Sequence, residues 1–239
     1  MSKQFEKNER IGQVVIDFPK STEVFMKYNI DFCCGGDRNV ETAITEDNPD
    51  ENVDKILSEV NEAYDNFLSE DYKKTDWENK SMTELLEFVE NTHHTFLKKT
   101  LPSTEEMTLK ILKVHYQDGK DLLIEFYRLF SLLNLDINIH LIKEEEELFP
   151  LIKEYEKTKD KKTLDKVLKI MKDTEDEHDA AGDILKSLRK LTNNYTLPDY
   201  ACTTVGIVYD RLQEIESDLF HHIHLENNII FYKLKAEQK

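Results

Sequence analysis

The chain has 239 residues, 39% hydrophobic and 34% charged, which is enough for a sizeable core in one or two domains. Acidic residues outnumber basic ones by 49 to 32, and the net charge of −17 disfavours nucleic acid or an anionic membrane as a partner. Six glycines and five prolines are too few for the many turns of an all-β fold, so a helix-rich protein is expected.

The first part of the chain, residues 1–72, is predicted to be a small helical domain. Short helical segments precede a turn at residues 48–50, and a longer amphipathic helix follows it to about Leu68. Residues 33–36, Cys-Cys-Gly-Gly, interrupt the helical pattern, and the two glycines mark a turn whose backbone can approach another group closely. The polar stretch 70–76 is predicted to be the linker to a second domain.

The three cysteines, Cys33, Cys34 and Cys202, do not form the pattern of a disulfide framework. Adjacent cysteines would close a strained ring on oxidation, so a structural disulfide is not expected between the first two. An odd count with a vicinal pair, a polar N-terminus and the lack of a long apolar run together predict a cytoplasmic protein. Cys202 is expected to be a buried small residue.

The second part of the chain, residues 78–239, changes to a pattern of long amphipathic helices. The four predicted helices cover about 81–116, 120–156, 162–192 and 203–235. Short loops between long helices make antiparallel neighbours, so this part is predicted to be an up-down-up-down four-helix bundle. The predicted fold class is therefore all-α, with a small N-terminal helical domain ahead of the bundle.

Two His/Glu pairs recur in the bundle helices. His140 precedes Glu144 by four residues, and His222 precedes Glu226 by four, so each pair shares one helix face. Spacing alone is weak, because 49 of the 239 residues are acidic and one or two such pairs are expected by chance. The position of these residues on their helices is more informative. All four continue a stripe of inward-facing positions that apolar residues otherwise occupy.

Two further histidines, His94 on the first bundle helix and His178 on the third, also lie on inward stripes. Counting from the predicted turns at about 1.5 Å per residue places the four histidines within about two helical turns of one level. Burying four imidazoles and two carboxylates without partners would be costly, and two metal ions would remove that cost. Imidazole with carboxylate suits iron or manganese better than structural zinc. A buried, hydrogen-bonded His–Glu network is the alternative.

These residues resemble a hemerythrin-like di-iron domain. The motifs that carry the resemblance are His140 to Pro150, His222 to Asn228, Glu177-His178-Asp179, and His94 before Leu101-Pro102. The stretch 31–36, Asp-Phe-Cys-Cys-Gly-Gly, is similar to the small N-terminal domain found with it in the repair-of-iron-centres family (ScdA/YtfE type). The resemblance covers nearly the whole chain. One departure is Ile230-Phe231-Tyr232, where the family often has Leu-Phe-Pro.

The resemblance implies a non-haem di-iron cofactor in which two glutamates bridge the irons and an oxo or hydroxo bridge has room. The implied ligands are His94, His140, Glu144, His178, His222 and Glu226. It also implies that Glu177 and Asp136 lie near the centre. The implied function is repair of iron–sulfur clusters damaged by oxidative or nitrosative stress, by iron donation or nitric oxide handling. Damaged iron–sulfur proteins, NO or O₂, and a second copy of the chain are the implied partners.

Three other functions stay open at this point. They are an O₂ or NO carrier or sensor, a di-iron NO or peroxide reductase, and a metal-free helical interaction module. The candidate metal ligands distinguish the metal-free module from the other functions. Only the resemblance distinguishes a carrier or sensor, or a reductase, from a repair protein. The Cys33-Cys34 pair favours repair, because a simple carrier has no evident need of it. For that pair, redox, nitrosyl-accepting and transient metal-handling roles are open beside a structural one.

Overall fold

The computed structural model describes residues 4–68, 77 and 79–238, and the extended regular elements among them are all helical. The predicted all-α fold class is therefore confirmed. None of the described helices combines the length and the apolar composition that crossing a membrane requires. The predicted linker, 70–76, lies outside the described residues, so the predicted domain boundaries at 72 and 78 stay predictions.

By their contacts, the described residues form two compact units. The first contains the residues up to Ser81 together with Ile223–Glu237, and the second contains Met82–His222 with Gln238. The four N-terminal helices of the first unit are α1 (Ile11–Asp17), α2 (Ser21–Lys27), α3 (Val40–Asp47) and α4 (Val53–Leu68).

The first unit has an aromatic core. The ring of Phe18 lies 5.3 Å from that of Tyr64 and 5.0 Å from that of Phe67, measured between centroids. Phe5 packs on the same Tyr64 ring at 5.0 Å, and its backbone N–H donates to the Asn61 side chain. A segment that precedes α1 is thereby attached to α4, which is a tertiary contact that closes this small unit.

The Cys-Cys-Gly-Gly turn of the first unit is organised by Asp31. Its Oδ1 atom accepts the backbone N–H groups of Cys33 at 3.0 Å, Cys34 at 2.9 Å and Gly35 at 3.2 Å. At Gly36 any side chain would collide with Asn228, whose amide nitrogen donates to the Cys33 carbonyl at 2.9 Å. The close backbone approach expected of this turn is therefore an approach to Asn228.

The bundle is more segmented than the sequence predicts. Its α-helices are α5 (Met82–Val89), α6 (Thr95–Val114), α7 (Tyr116–Lys143), α8 (Phe149–Thr158), α9 (Lys161–Leu191), α10 (Thr203–Leu225) and α11 (Phe231–Ala236). Three π-helical segments join consecutive α-helices: π1 (Glu90–His94), π2 (Glu144–Leu148) and π3 (Glu226–Ile230). The predicted first, second and fourth bundle helices are therefore each divided by a π segment. Such segments occur often at functional sites, and here each contains a predicted metal ligand.

The second unit is apolar along most of its interior. Residues buried there include Phe126, Phe130 and Leu133 of α7 and Leu212 and Ile215 of α10. These side chains follow the three-and-four spacing of the inward seam, and their burial supplies the main driving force for packing the helices.

Cys202 differs from its prediction, because it is exposed rather than buried. It lies immediately before α10, and its carbonyl accepts the backbone N–H of Val205 at 3.0 Å. A residue in this position points away from the bundle seam, which begins only inside the helix.

Candidate metal centre

One group of predicted ligands surrounds Glu144 on the side of His94 and His222. The Nε2 atom of His94 lies 3.3 Å from the Glu144 carboxylate and 3.3 Å from Nε2 of His222. His222 Nε2 lies 3.8 Å from the same carboxylate. These three side chains come from π1, π2 and α10, and all three are fully buried.

A second group surrounds Glu144 on the side of His140 and His178. His140 Nε2 lies 3.3 Å from the Glu144 carboxylate and 3.2 Å from Nε2 of His178. These histidines come from α7 and α9, and both are buried. Two imidazoles therefore lie on one side of the Glu144 carboxylate and two on the other.

Glu226, the sixth predicted ligand, is the first residue of π3 and follows His222 by one helical turn. It is fully buried. The five predicted ligands of the second unit are brought together around Glu144, with two histidines on each side of its carboxylate. Their binding of metal stays a prediction.

The donor chemistry of this set fits iron. Glu145 Oε1 lies 2.7 Å from Nδ1 of His94, and Glu177 Oε2 lies 2.9 Å from Nδ1 of His140. A carboxylate at Nδ1 favours the tautomer that carries its proton there, so the Nε2 lone pair is directed towards Glu144. Neutral imidazoles and carboxylates in a buried, thiolate-free set suit iron or manganese.

Each of these outer carboxylates is also paired with a lysine. Lys98 Nζ lies 2.6 Å from Glu145, and Lys143 Nζ lies 2.8 Å from Glu177. The hydrogen bond to His140, with further help from Lys143, lowers the pKa of Glu177 to about 2. Partial burial opposes ionisation of Glu145, but Lys98 and His94 outweigh it, so its pKa is also lowered. Both carboxylates are therefore charged acceptors for an imidazole N–H at neutral pH.

His93 is a neighbour of the centre that lies next to the predicted ligand His94 in π1. It is buried, its Nδ1 lies 2.9 Å from Asp218, and its ring stacks on His222 at 5.7 Å. On an α-helix the side chains of consecutive residues diverge by about 100°. In π1 each turn contains more residues, so consecutive side chains diverge less and both histidines face inward.

Two cavities border the histidines of the second unit. One, of about 170 Å³, is lined by residues that include Asp136, Glu177, His140 and His178. Both acids that were predicted to lie near the centre therefore border this cavity. A second cavity, of about 500 Å³, is lined by His93, Phe96, Gln213, Glu214, Ser217, Asp218 and His221. The smaller cavity thus borders two predicted ligands, His140 and His178, and the larger one borders His93 beside His94.

The two predicted cysteine sites lie in the first unit, in the turn held by Asp31. Their sulfur atoms are 3.9 Å apart, and Cys33 Sγ lies 3.3 Å from the Asp31 carboxylate. The hydrogen bond with Cys34, together with burial, raises the pKa of the Cys33 thiol well above its usual range. One oxygen and two sulfur atoms within 4.8 Å of one another form a group that could hold a metal ion.

Two stretches of the chain match known protein families. Residues 84–234 match a family model described as the hemerythrin HHE cation binding domain, and residues 7–64 match ScdA_N, described as a domain of unknown function (DUF542). The hemerythrin match and the buried His/Glu groups confirm the predicted di-iron cofactor.

The similarity to full-length relatives covers nearly all of the chain. The iron-sulfur cluster repair protein ScdA of Staphylococcus epidermidis is 31% identical over 230 residues, which are 95% of this chain and 98% of the relative. The iron-sulfur cluster repair protein YtfE of Cronobacter sakazakii is 31% identical over 233 residues, covering 98% and 99%. A YtfE protein of Escherichia coli is 29% identical over 230 residues, covering 96% and 98%.

Proposed function

This chain belongs to the ScdA/YtfE family of iron–sulfur cluster repair proteins, and we propose that it repairs damaged iron–sulfur clusters through a di-iron centre in its helical bundle. The observation that carries the proposal is the pair of histidine groups on the two sides of the Glu144 carboxylate. Near-complete coverage of relatives named for cluster repair supports the same conclusion.

The grouping supports a specific assignment of ligands. His94 and His222 would bind one iron, and His140 and His178 would bind the other. Glu144 and Glu226 would bridge the two. Iron bound there would supply redox chemistry and exchangeable ligands for cluster repair.

The rest of the site consists of groups that orient these ligands. Glu145 and Glu177 accept the Nδ1 protons of His94 and His140 and so hold the imidazole rings in position. Lys98 and Lys143 compensate the charge of those outer carboxylates. The predicted ligands are themselves buried.

A second function, binding or reduction of NO or O₂ at the same centre, is favoured by one observation. The cavity of about 170 Å³ reaches His140 and His178, and its volume suits a diatomic molecule with a few waters. Reversible diatomic binding without iron transfer would identify a carrier or sensor. Turnover with an electron donor would identify a reductase.

The Cys33-Cys34 pair is proposed to handle metal during repair. Its support is the Asp31–Cys33–Cys34 group, whose donor atoms lie within 4.8 Å of one another. Because the pKa of Cys33 is raised, a thiolate nucleophile is disfavoured there until a metal ion displaces the proton. Replacing both cysteines with serine should leave the iron content of the bundle unchanged while slowing repair of a client protein.

The first experiment measures iron content and the optical spectrum of anaerobically and aerobically purified protein. We expect about two irons per chain in the parent, and loss of both iron and spectrum in Glu144→Ala and His222→Ala. Glu147→Ala and His221→Ala are matched controls, because Glu147 is an exposed residue of the same π segment and His221 precedes the ligand on α10. Both controls should keep the parent's iron.

The second experiment measures recovery of activity by a hydratase whose iron–sulfur cluster has been damaged with nitric oxide. The parent should restore activity, and Glu144→Ala should not. Iron-loaded parent that restores no client would contradict the repair function and leave diatomic binding as the better candidate. Folded parent that binds no iron would contradict the di-iron centre itself.

The division into domains at 1–72 and 78–239 and a cytoplasmic location are part of the same proposal. Support for the division comes from family matches that end at residue 64 and begin again at residue 84. Limited proteolysis that cuts first between those residues would agree with it. A cytoplasmic location is supported by the odd number of cysteines and the adjacent pair among them, a pattern that fits a reducing compartment.

A further inference from the structure

A second constellation of reactive side chains lies in the second unit and shares no residue with the metal centre. Cys202 is exposed at the start of α10, and the imidazole of His115 approaches it from the junction of α6 and α7. The Nε2 atom of His115 lies 3.2 Å from the Cys202 sulfur. This contact joins residues that are 87 positions apart in the chain.

His115 is itself held by its neighbours. Its Nδ1 atom lies 3.5 Å from the carboxylate of Asp118, and its ring packs on Tyr200 at 5.4 Å between centroids. A carboxylate at Nδ1 and an aromatic surface beside the ring orient Nε2 towards the sulfur. The order carboxylate, imidazole, thiol is one in which a histidine can take a proton from the thiol and return it to another group.

The backbone amides at the start of α10 also favour a negative charge on the sulfur. Those of Val205 and Thr204, in the first turn of the helix, contribute to lowering the pKa of Cys202. The hydrogen bond with His115 and these amides lower the pKa of Cys202 to about 7, and the same contact raises the pKa of His115. The two shifts agree in describing a thiolate–imidazolium pair.

We propose that Cys202 is a thiol-modification site that forms mixed disulfides with small disulfides such as those of low-molecular-weight cell thiols. The Cys202 thiolate attacks one sulfur of the small disulfide, so that a new S–S bond forms and the original S–S bond breaks. The departing thiolate takes the proton that His115 received from Cys202. Cys202 is thereby oxidised, the departing half is reduced to a thiol, and no other reactant is needed.

The test uses the full chain with Cys33→Ser and Cys34→Ser, which leaves Cys202 as its only cysteine. The rate of mixed-disulfide formation with glutathione disulfide is followed by intact mass from pH 5.5 to 9.5. The rate should rise with a midpoint near pH 7, because the pKa of Cys202 is about 7. A midpoint of about 8.5, the ordinary value for a thiol, would overturn the proposal.

His115→Gln tests whether the imidazole is responsible. If the thiol pKa returns to about 8.5, the thiolate fraction at pH 6.5 falls about 25-fold while each thiolate becomes about fivefold more nucleophilic. The net rate at pH 6.5 should therefore fall about fivefold, with the midpoint shifted up by about 1.5 pH units. Asp118→Asn should shift it in the same direction by less.

Two controls keep the result interpretable. His221→Gln replaces another histidine of the second unit, which bonds to the Ser217 carbonyl, and it should leave the midpoint unchanged. Iron content is measured in parallel, because Cys202 takes no part in the metal centre and its modification should not change the iron content. An unshifted midpoint in folded His115→Gln, shown by circular dichroism, would contradict the role of His115 even if the iron results hold.

Discussion

The interior of the second unit changes character near the end of α7, where a polar level formed by His140 and by Glu144 of π2 follows buried apolar residues up to Ile137. Towards one end, Phe126 and Phe130 are fully buried and pack into the apolar cluster. Towards the other, His140 and Glu144 continue the same inward stripe and are equally buried. The apolar end stabilises the bundle by about 1.5–3 kcal/mol per large side chain. Buried polar groups instead cost free energy unless they form hydrogen bonds or coordinate a metal ion.

The difference shows how one stripe of inward-facing helix positions can contribute both to stability and to ligand binding. Residues at the apolar end are interchangeable as long as their volume is kept, because the hydrophobic effect is not directional. Residues at the polar level are not interchangeable, because distances of 3.2–3.3 Å between donor atoms depend on which side chains are present. The four predictions that follow break or sharpen this contrast, in order of expected effect.

Phe130→Ala tests the apolar end. Truncation of a fully buried phenylalanine should lower the free energy of unfolding by about 3–5 kcal/mol through lost burial and a residual cavity. Ile124→Ala, at an exposed position of the same helix, is the control and should change it by less than about 0.5 kcal/mol. Urea unfolding measures both. Iron per folded chain should stay at the parent's value, and a parallel loss of iron would show that the two ends are not separable.

Iron removal tests the polar level. A ligand that binds only the folded state stabilises it by about 2.7 kcal/mol at a concentration 100-fold above its dissociation constant. Anaerobic chelation of the parent should therefore lower the free energy of unfolding by about this amount, and the thermal midpoint should fall with it. In Glu144→Ala the chelator should have no effect. Equal stability of the iron-loaded and chelated parent would show that the buried polar level does not require metal.

Glu177→Gln tests the groups that orient the ligands. Loss of the carboxylate beside Nδ1 of His140 should weaken iron binding about 10–100-fold, because the ring loses the partner that fixes its tautomer. Asp173→Asn, at an exposed position one turn earlier on α9, is the control. Competition with a chelator of known affinity measures the change. An affinity unchanged in Glu177→Gln would limit its role to the ion pair with Lys143.

Glu156→Gln tests a carboxylate with a purely structural environment. Glu156 accepts the backbone N–H groups of Met82 at 2.6 Å and Thr83 at 3.0 Å and so caps the start of α5. Its partial burial disfavours ionisation, but the hydrogen bonds from Thr83 and Met82 lower its pKa below the ordinary 4.5. The substitution should lower the free energy of unfolding by about 1 kcal/mol at pH 7.

The pH dependence of that effect follows from the direction of the shift. Because the folded-state pKa of Glu156 is below the unfolded value, its contribution is fully present above about pH 4.5 and is lost as the pH falls further. The difference between parent and Glu156→Gln, followed by urea unfolding, should therefore shrink below pH 4.5. A difference that grows with acidity would contradict the assigned role.

The order of helices and the level of the six candidate ligands could be predicted from the sequence, since both depend on local periodicity. His140 and Glu144 stand at seam positions, and counting residues from each turn brings His94 and His178 to the same level. The same periodicity could not predict the π segments, because one extra residue in a turn has no distinct residue pattern. The burial of His93 beside His94 could not be predicted for that reason.

Contacts between residues distant in the chain were also beyond the sequence. Nothing in the pattern around Cys202 indicates that His115 lies against it, and the residue was accordingly expected to be buried. Asn228 likewise follows Glu226 by two residues without a sign that its side chain binds the Cys33 carbonyl. Each of these contacts depends on how separate helices and loops pack.

The sequence by itself determined the all-α fold class, the inward His/Glu stripes and the likeness to a family of di-iron proteins. Those features are local, because they depend on residue type and on the fixed rise and rotation of a helix. The tertiary structure alone decided which histidines share a carboxylate, which acids reach their Nδ1 atoms, and that Cys202 has an imidazole partner. Those features depend on distances between side chains that are far apart in the sequence. Only the packing of the helices sets such distances to within tenths of an ångström.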